Sequence, residues 1–274
     1  MRYDIIVLGG GPAGLSAAVA ARGRNKSVLV VGNRWQDSPL ARAERVDNYL
    51  GLPGVTGMEL LEQFRRHAEE LGADFVLGRV ISLMAWNGFH LTVGSELYEG
   101  ETLVLAPGVV RQAKYPGEAE YLGRGVSYCA TCDGMLYRGK PVAVVGYTDT
   151  ARQEAEFLQK IGCSVTYFDR PKQCEIRGDG RVESVTCDGR TIPAEGVFIL
   201  RPTMAPTELF PGLAVEQGYV TVDRRMATNL PGLFAAGDCT GGPLQVSKAA
   251  GDGLIAGQSA AAWAAAQERR EKQS

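Results

Sequence analysis

The chain has 274 residues, 45% of them hydrophobic and 22% charged, with a formal net charge of −2. That size and apolar content allow one large packed domain or two modest ones, and the interspersed, nearly balanced charges argue against nucleic acid or an anionic membrane surface as partners. Six cysteines, of which only Cys129 and Cys132 stand at close motif spacing, do not describe a secreted disulfide scaffold.

In chain order, Tyr3 to Leu8 reads as a buried strand that leaves no room for a signal peptide before it, so a cytoplasmic location is expected. Gly9-Gly10-Gly11-Pro12-Ala13-Gly14 follows and opens a helix from Leu15 to Arg22, the context a dinucleotide fingerprint requires. Gly9 permits the tight turn, Gly11 lets backbone approach a pyrophosphate, Gly14 lets helix and strand pack closely, and the helix N-terminus faces the phosphates. By itself such a turn also suits an ordinary parallel sheet. A loop over 33–52 precedes an amphipathic helix with Leu60, Leu61, Phe64 and Leu71 on its apolar face, then strands near Val80, from Phe89 to Val93 and from Thr102 to Leu105.

The order strand, turn, helix, strand recurs from Pro141 to Asp169, so that Gly9 aligns with Gly146, Gly11 with Thr148, Gly14 with Ala151 and Gly32 with Asp169. The spacing is kept while the chemistry changes. A hairpin is expected over Arg181 to Thr186 and its partner beyond Asp188-Gly189, and Gly196 to Leu200 as a buried strand. The last segment, Leu230 to Ala266, reads as a strand and a long alanine-rich helix whose apolar stretch is too short to span a bilayer. The expected division is residues 1–112 with 232–274 as one discontinuous domain and 113–231 as an inserted one.

Cys129-Ala130-Thr131-Cys132 lies just before the second repeat. This spacing near a helix start lowers a thiol pKa, and the thiolate is the species that exchanges disulfides. Zinc would need two further ligands, but Cys163, Cys174, Cys187 and Cys239 form no second pair of this kind, so no metal is expected and those four read as small buried apolar residues, mostly reduced. Asp133 suits a turn before Gly134 as well as proton transfer.

Gly232-Leu233-Phe234-Ala235-Ala236-Gly237-Asp238 resembles the second FAD motif of two-dinucleotide-binding-domain flavoproteins. With it, Asp47-Asn48-Tyr49, the hexapeptide Cys129 to Gly134, and Gln245 before Ala249-Ala250-Gly251-Asp252-Gly253, most of the chain resembles the low-molecular-weight flavin thioredoxin reductases. The resemblance implies an α/β two-dinucleotide-binding-domain fold with a discontinuous FAD domain and a second, truncated Rossmann-like domain inserted in it. It implies FAD held by Gly9, Gly11, Pro12, Ala13 and Gly14, by Gly32 and Asn33, by Asn48 and Val80, by Ala106 and Gly108, and by Gly237, Asp238, Gln245 and Val246. Two departures stand out: Pro107 in the usual Ala-Thr-Gly turn, and Gly32 where many FAD proteins carry an acid. By the same match Cys132 is the sulfur nearest the flavin, Cys129 attacks the partner's disulfide, Asp133 is the general acid or base, and the protein is a homodimer.

Thr148 in place of the pyrophosphate glycine, Asp169 where a 2′-phosphate would need basic residues, and the short connection from Pro171 to Gly180 depart from the NADPH-dependent pattern. They resemble the ferredoxin-linked, pyridine-nucleotide-independent branch. This implies thioredoxin as substrate, ferredoxin (or flavodoxin) as donor, and a domain rotation hinged at Gln112 to Pro116 and Asn229 to Gly232. An NAD(P)H-dependent reductase, a flavin dithiol oxidase and a flavin-bound redox sensor stay open, as does a second FAD whose ribose Asp169 would hold.

Overall fold

A computed structural model describes the chain from Met1 to Glu271 apart from Arg79, 109–114, Cys129, 148–149 and 202–208. It divides into two units, Met1–Val110 with Ala205–Ser274, and Arg111–Met204.

The first unit is built on a seven-stranded sheet. β1 (Arg2–Leu8), β2 (Val28–Gly32) and β3 (Asp74–Leu77) run parallel; β6 (Glu96–Leu105) flanks β1 and pairs with β16 (Leu233–Ala235), and β5 (Phe89–Val93) and β4 (Val80–Ala85) extend it antiparallel. β1 is apolar and buried from Ile5 to Leu8 because both faces are covered there. Ile5 and Val7 pack with helix residues Ala17, Ala18, Ala256 and Ala260, while Ile6 and Leu8 pack with Leu91, Phe210 and Val220. Helix α1 (Pro12–Arg22) starts on a proline, whose ring presets the helical φ and whose missing N–H is not needed there. It packs on the C-terminal helix α5 (Val246–Glu271) through small residues: a Cβ on Gly253 or Gly257 would come within 2.0 or 2.3 Å of the Ala13 or Ala17 carbonyl oxygen. Helix α2 (Gly57–Glu70) opens on a capping box in which the Thr56 hydroxyl accepts from the Glu59 N–H and the Glu59 carboxylate accepts from the Thr56 N–H.

The second unit holds a parallel sheet in the order β7 (Val126–Ser127), β13 (Gly196–Leu200), β8 (Pro141–Gly146), β9 (Ser164–Asp169), with α4 (Thr150–Lys160) between β8 and β9. An antiparallel meander, β10 (Cys174–Asp179), β11 (Arg181–Cys187) and β12 (Arg190–Pro193), follows, and in the first unit β14 (Val215–Glu216) pairs antiparallel with β15 (Tyr219–Val220).

Three expectations are corrected. The return to the first unit comes before Phe210 and not at 232, because Phe210, Leu213 and Val220 belong to the core of the first unit; this also removes Asn229 to Gly232 as a hinge at a domain crossing, while Gln112 to Lys114 lie outside the described residues. Cys174 and Cys187 are buried as expected but joined in a disulfide. They face each other in register at the ends of β10 and β11 with Cα atoms 4.2 Å apart, a neighbour relation that sequence separation alone does not reveal. The expected hairpin is a three-stranded meander, its first strand occupying what read as a connection.

Candidate active site

In the first unit the turns named by the sequence meet at one edge of the sheet. Leu8, Val31, Leu105 and Ala235 lie in matching register at the C-terminal ends of β1, β2, β6 and β16. The segments that follow, Gly9 to Gly14, Gly32-Asn33, Ala106 to Gly108 and Gly237-Asp238, therefore share the crevice beyond those ends, where open α/β sheets bind ligands. Backbone hydrogen bonds fix them: Gly9 N–H donates to Val31 (2.8 Å), Ala106 N–H to Leu8 (2.8 Å), and Ala236 N–H to Leu105 (2.8 Å).

The glycines of the first turn divide by role. A Cβ on Gly9 would sit 2.0 Å from the Ala106 carbonyl oxygen, and one on Gly14 would sit 1.8 Å from that of Gly9, so the protein's own packing excludes side chains there. A Cβ on Gly11 meets nothing within 4 Å. The fold leaves that space open, and Gly11 caps α1 without any side-chain hydrogen bond, so the first-turn amides face it unfilled. Beside this turn a pocket is floored by Gly10, Leu15, Val30 and Gly32 and walled by Trp35, Leu61, Arg65 and Phe75. Asn33 is exposed at the same strand end, and the Gly78 N–H donates to the Gly32 carbonyl (2.9 Å), which brings the half-buried Val80 to this side.

The Gly237-Asp238 turn is held from α5. Lys248 Nζ donates to the carbonyls of Gly237 (2.9 Å) and Gly241 (2.8 Å) and to Thr240 Oγ1 (2.9 Å), and pairs with Asp252 at 2.7 Å, whose carboxylate accepts from the Gly237 N–H (3.1 Å). Lys248 escaped the sequence reading; its only signal is the i, i+4 spacing to Asp252 on the helix that follows the motif. Asp238 itself is half-buried, and its carboxylate accepts no hydrogen bond among the described residues. Burial holds its carboxyl above the usual range, with Lys248 opposing and Asp252 adding to the rise. Asn48 and Gln245, far apart in sequence, join by a hydrogen bond (Nδ2 to Oε1, 2.6 Å) just before Val246 begins α5. An open glycine turn at a helix N-terminus, an adjoining pocket and a polar carboxylate without a partner fit a dinucleotide group.

In the second unit, Cys132 lies in the short helix α3 (Ala130–Asp133); its side chain, and Cys129 as a whole, lie outside the described residues. The flanks of the motif are tied down. The buried Ser127 hydroxyl donates to Asp133 Oδ2 (2.7 Å), and the Tyr128 hydroxyl donates to Glu118 Oε1 (2.9 Å). Glu118, fully buried, forms a two-pronged pair with Arg201 at 2.6 and 2.7 Å. A bidentate pair with both oxygens further bonded satisfies the charge that burial would otherwise penalise. These tethers were not legible in the sequence, because Glu118 and Arg201 lie far apart and neither belongs to a motif.

The departures of the second repeat take physical form. Thr148 lies outside the described residues. Asp169 is paired with Arg152 (2.7 Å) and so is not left waiting for a ribose. Cys163 and Cys239 are buried free thiols, both raised above the ordinary thiol range by burial, Cys239 to about 12. Among the described residues, no helix is long and apolar enough to cross a membrane.

Residues 3–175 and 171–253 match the family model described as pyridine nucleotide-disulphide oxidoreductase. The thioredoxin reductase of Listeria innocua is 33% identical over 295 residues, covering 94% of this chain and 92% of the relative, and that of Bacillus subtilis is 32% identical, covering 94% and 93%. Among solved structures, a ferredoxin-flavin thioredoxin reductase from Clostridium acetobutylicum superposes with a TM-score of 0.90 at 39% identity, covering 95% of this chain and 97% of the other. A thioredoxin reductase from Gloeobacter violaceus gives 0.79 at 32%, covering 97% and 95%.

Proposed function

The chain belongs to the pyridine nucleotide-disulphide oxidoreductase family, as a flavin-dependent disulfide oxidoreductase of the thioredoxin reductase kind, and from that premise we propose that it reduces thioredoxin with electrons delivered one at a time by ferredoxin or flavodoxin. One observation carries the choice of donor. Among the described residues the sheet of the second unit ends at β9, whereas the sheet of the first continues to β3, reached through α2, and α2 and β3 supply Leu61, Arg65 and Phe75 to the wall of the first unit's pocket. A pyridine nucleotide would lack that wall. The similarity to a protein named for ferredoxin supports the same choice.

FAD is the flavin in this reading. The Gly9 to Gly14 turn and the first amides of α1 would hold its pyrophosphate, the strand end at Gly32 and Asn33 would take its adenosine, and Asp238 would bind a hydroxyl of its sugar chain. When bound, it supplies the exchange between one-electron delivery and two-electron disulfide chemistry. Cys129 and Cys132 store the electron pair as a dithiol. The Cys129 thiolate attacks one sulfur of the thioredoxin disulfide and expels the other as a thiolate, leaving a mixed disulfide. The Cys132 thiolate then attacks the Cys129 sulfur, so that thioredoxin departs as a dithiol after protonation and a Cys129–Cys132 disulfide remains. Asp133, held by Ser127, carries protons to and from these sulfurs. The reading includes a cytoplasmic homodimer.

Anaerobic titration followed by the flavin spectrum tests it. Photoreduced ferredoxin is expected to bleach the flavin and support thioredoxin reduction, with NADPH and NADH inert. Bleaching by NADPH at catalytic rates sinks the donor assignment, and peroxide formed from a small dithiol without thioredoxin turnover reverses the direction.

A further inference from the structure

The two repeats can be compared residue by residue within their own units. Their strand registers are the same: Leu8 lies beside Val31 in one, and Val145 beside Phe168 in the other. Leu15, Val30 and Gly32, which floor the small pocket of the first unit, therefore correspond to Arg152, Tyr167 and Asp169.

In the second unit that floor is filled by the chain itself. A Cβ on Gly146 would lie 2.1 Å from the Tyr167 hydroxyl and 2.9 Å from the Cβ of Ala151, so the phenol end fills the space at the end of β8 beside Gly146. The Arg152 guanidinium lies 4.7 Å from the Tyr167 ring centroid and reaches across to Asp169 Oδ2 at 2.7 Å. Ring, guanidinium and carboxylate thus stand where the first unit has Val30, Leu15 and Gly32.

We infer that Tyr167 and Arg152 are the residues that close the second unit to adenosine-containing ligands, whether NADH, NADPH or a second FAD. Tyr167 is the main obstacle. The Arg152–Asp169 pair is more than half exposed on both sides, and an exposed ion pair resists a competing ligand only weakly. What Arg152 adds is a lid on the ring and the loss of Asp169 as a free acceptor. A one-electron donor other than ferredoxin would leave this inference standing.

The test measures binding and not turnover, on the FAD-loaded protein, with ADP-ribose as probe. Equilibrium dialysis of the wild type is expected to show no binding up to about 1 mM. The variant Tyr167→Val with Arg152→Leu, which installs the residues of the first unit, is expected to bind at least roughly tenfold more tightly than the wild type. A folded double variant that binds no better overturns the inference, as does tight binding by the wild type. Should the double variant fail to fold, photolabelling of the wild type with 8-azido-ADP-ribose decides: no label on the Tyr167 peptide sustains the inference, and specific label there overturns it. Failure of ferredoxin to reduce the flavin would sink the donor assignment and move none of these readings.

Discussion

The Ser127 hydroxyl donates to Asp133 Oδ2 at 2.7 Å, bridging the two ends of the segment that carries the dithiol. If Asp133 moves protons for the sulfurs, Ser127 sets where it stands. Ser127→Ala is expected to lower thioredoxin turnover by about tenfold, the worth of one charge-assisted hydrogen bond, with flavin content unchanged. Asp133→Asn is expected to lose about a hundredfold or more, as removal of a general acid or base does. Steady-state rates beside flavin absorbance check both, and an Asp133→Asn protein with full turnover would exclude the proton-transfer role.

Asp238 sits half-buried, with its carboxyl raised by burial and with no hydrogen-bond donor to it among the described residues. A donor from the cofactor offsets the cost of the charged form only, so binding favours the deprotonated state. FAD affinity is therefore expected to fall as the pH drops, starting at a higher pH than an ordinary carboxylate would give. Asp238→Ala should weaken FAD by roughly ten- to a hundredfold and abolish that acid limb. Fluorescence titration of the apoprotein with FAD across pH reads both effects.

The disulfide between Cys174 and Cys187 ties the first two strands of the meander, 13 residues apart in sequence. Closing a loop of that size in the unfolded chain is worth about 3 kcal/mol, so the double Cys→Ser variant is expected to lose about that much on denaturant unfolding of the second unit. Thiol-directed mass labelling of the denatured, unreduced protein should leave both residues unmodified.

Cys163 and Cys239 behave in the opposite sense. Burial raises both thiols, Cys239 to about 12, so they stay protonated and inert at pH 8. Iodoacetamide on the native, reduced enzyme is expected to spare both, and rapid modification of either would contradict the burial described.

Glu118 is fully buried against Arg201. Glu118→Ala removes the bidentate partner of a guanidinium with little access to water, a loss of about 3–5 kcal/mol, and takes the Glu118 acceptor from the Tyr128 hydroxyl next to the motif. Thermal unfolding measures the first effect.

Much of this site was legible in the sequence because its parts obey local rules. A glycine turn between strand and helix, a strand ending in Gly-Asp, and a repeated spacing each announce themselves without tertiary knowledge. What was not legible depends on partners brought together by folding. Lys248 matters through the carbonyls of a turn that precedes it, Glu118 through an arginine on a distant strand, and Cys174 through a strand that read as a connection. The misplaced boundary has the same origin: Phe210, Leu213 and Val220 look like inserted-domain residues until their core neighbours are seen.

The first unit takes its last strand and its longest helix from the end of the chain, whereas the second unit is one continuous stretch. During synthesis the ribosome therefore releases the second unit whole while the first still waits for β16 to join β6 and for α5 to cover α1. On the proposed reading flavin capture needs Gly237-Asp238 and so becomes the closing event of biogenesis, and a chain cut short after the second unit is expected to emerge unable to turn yellow.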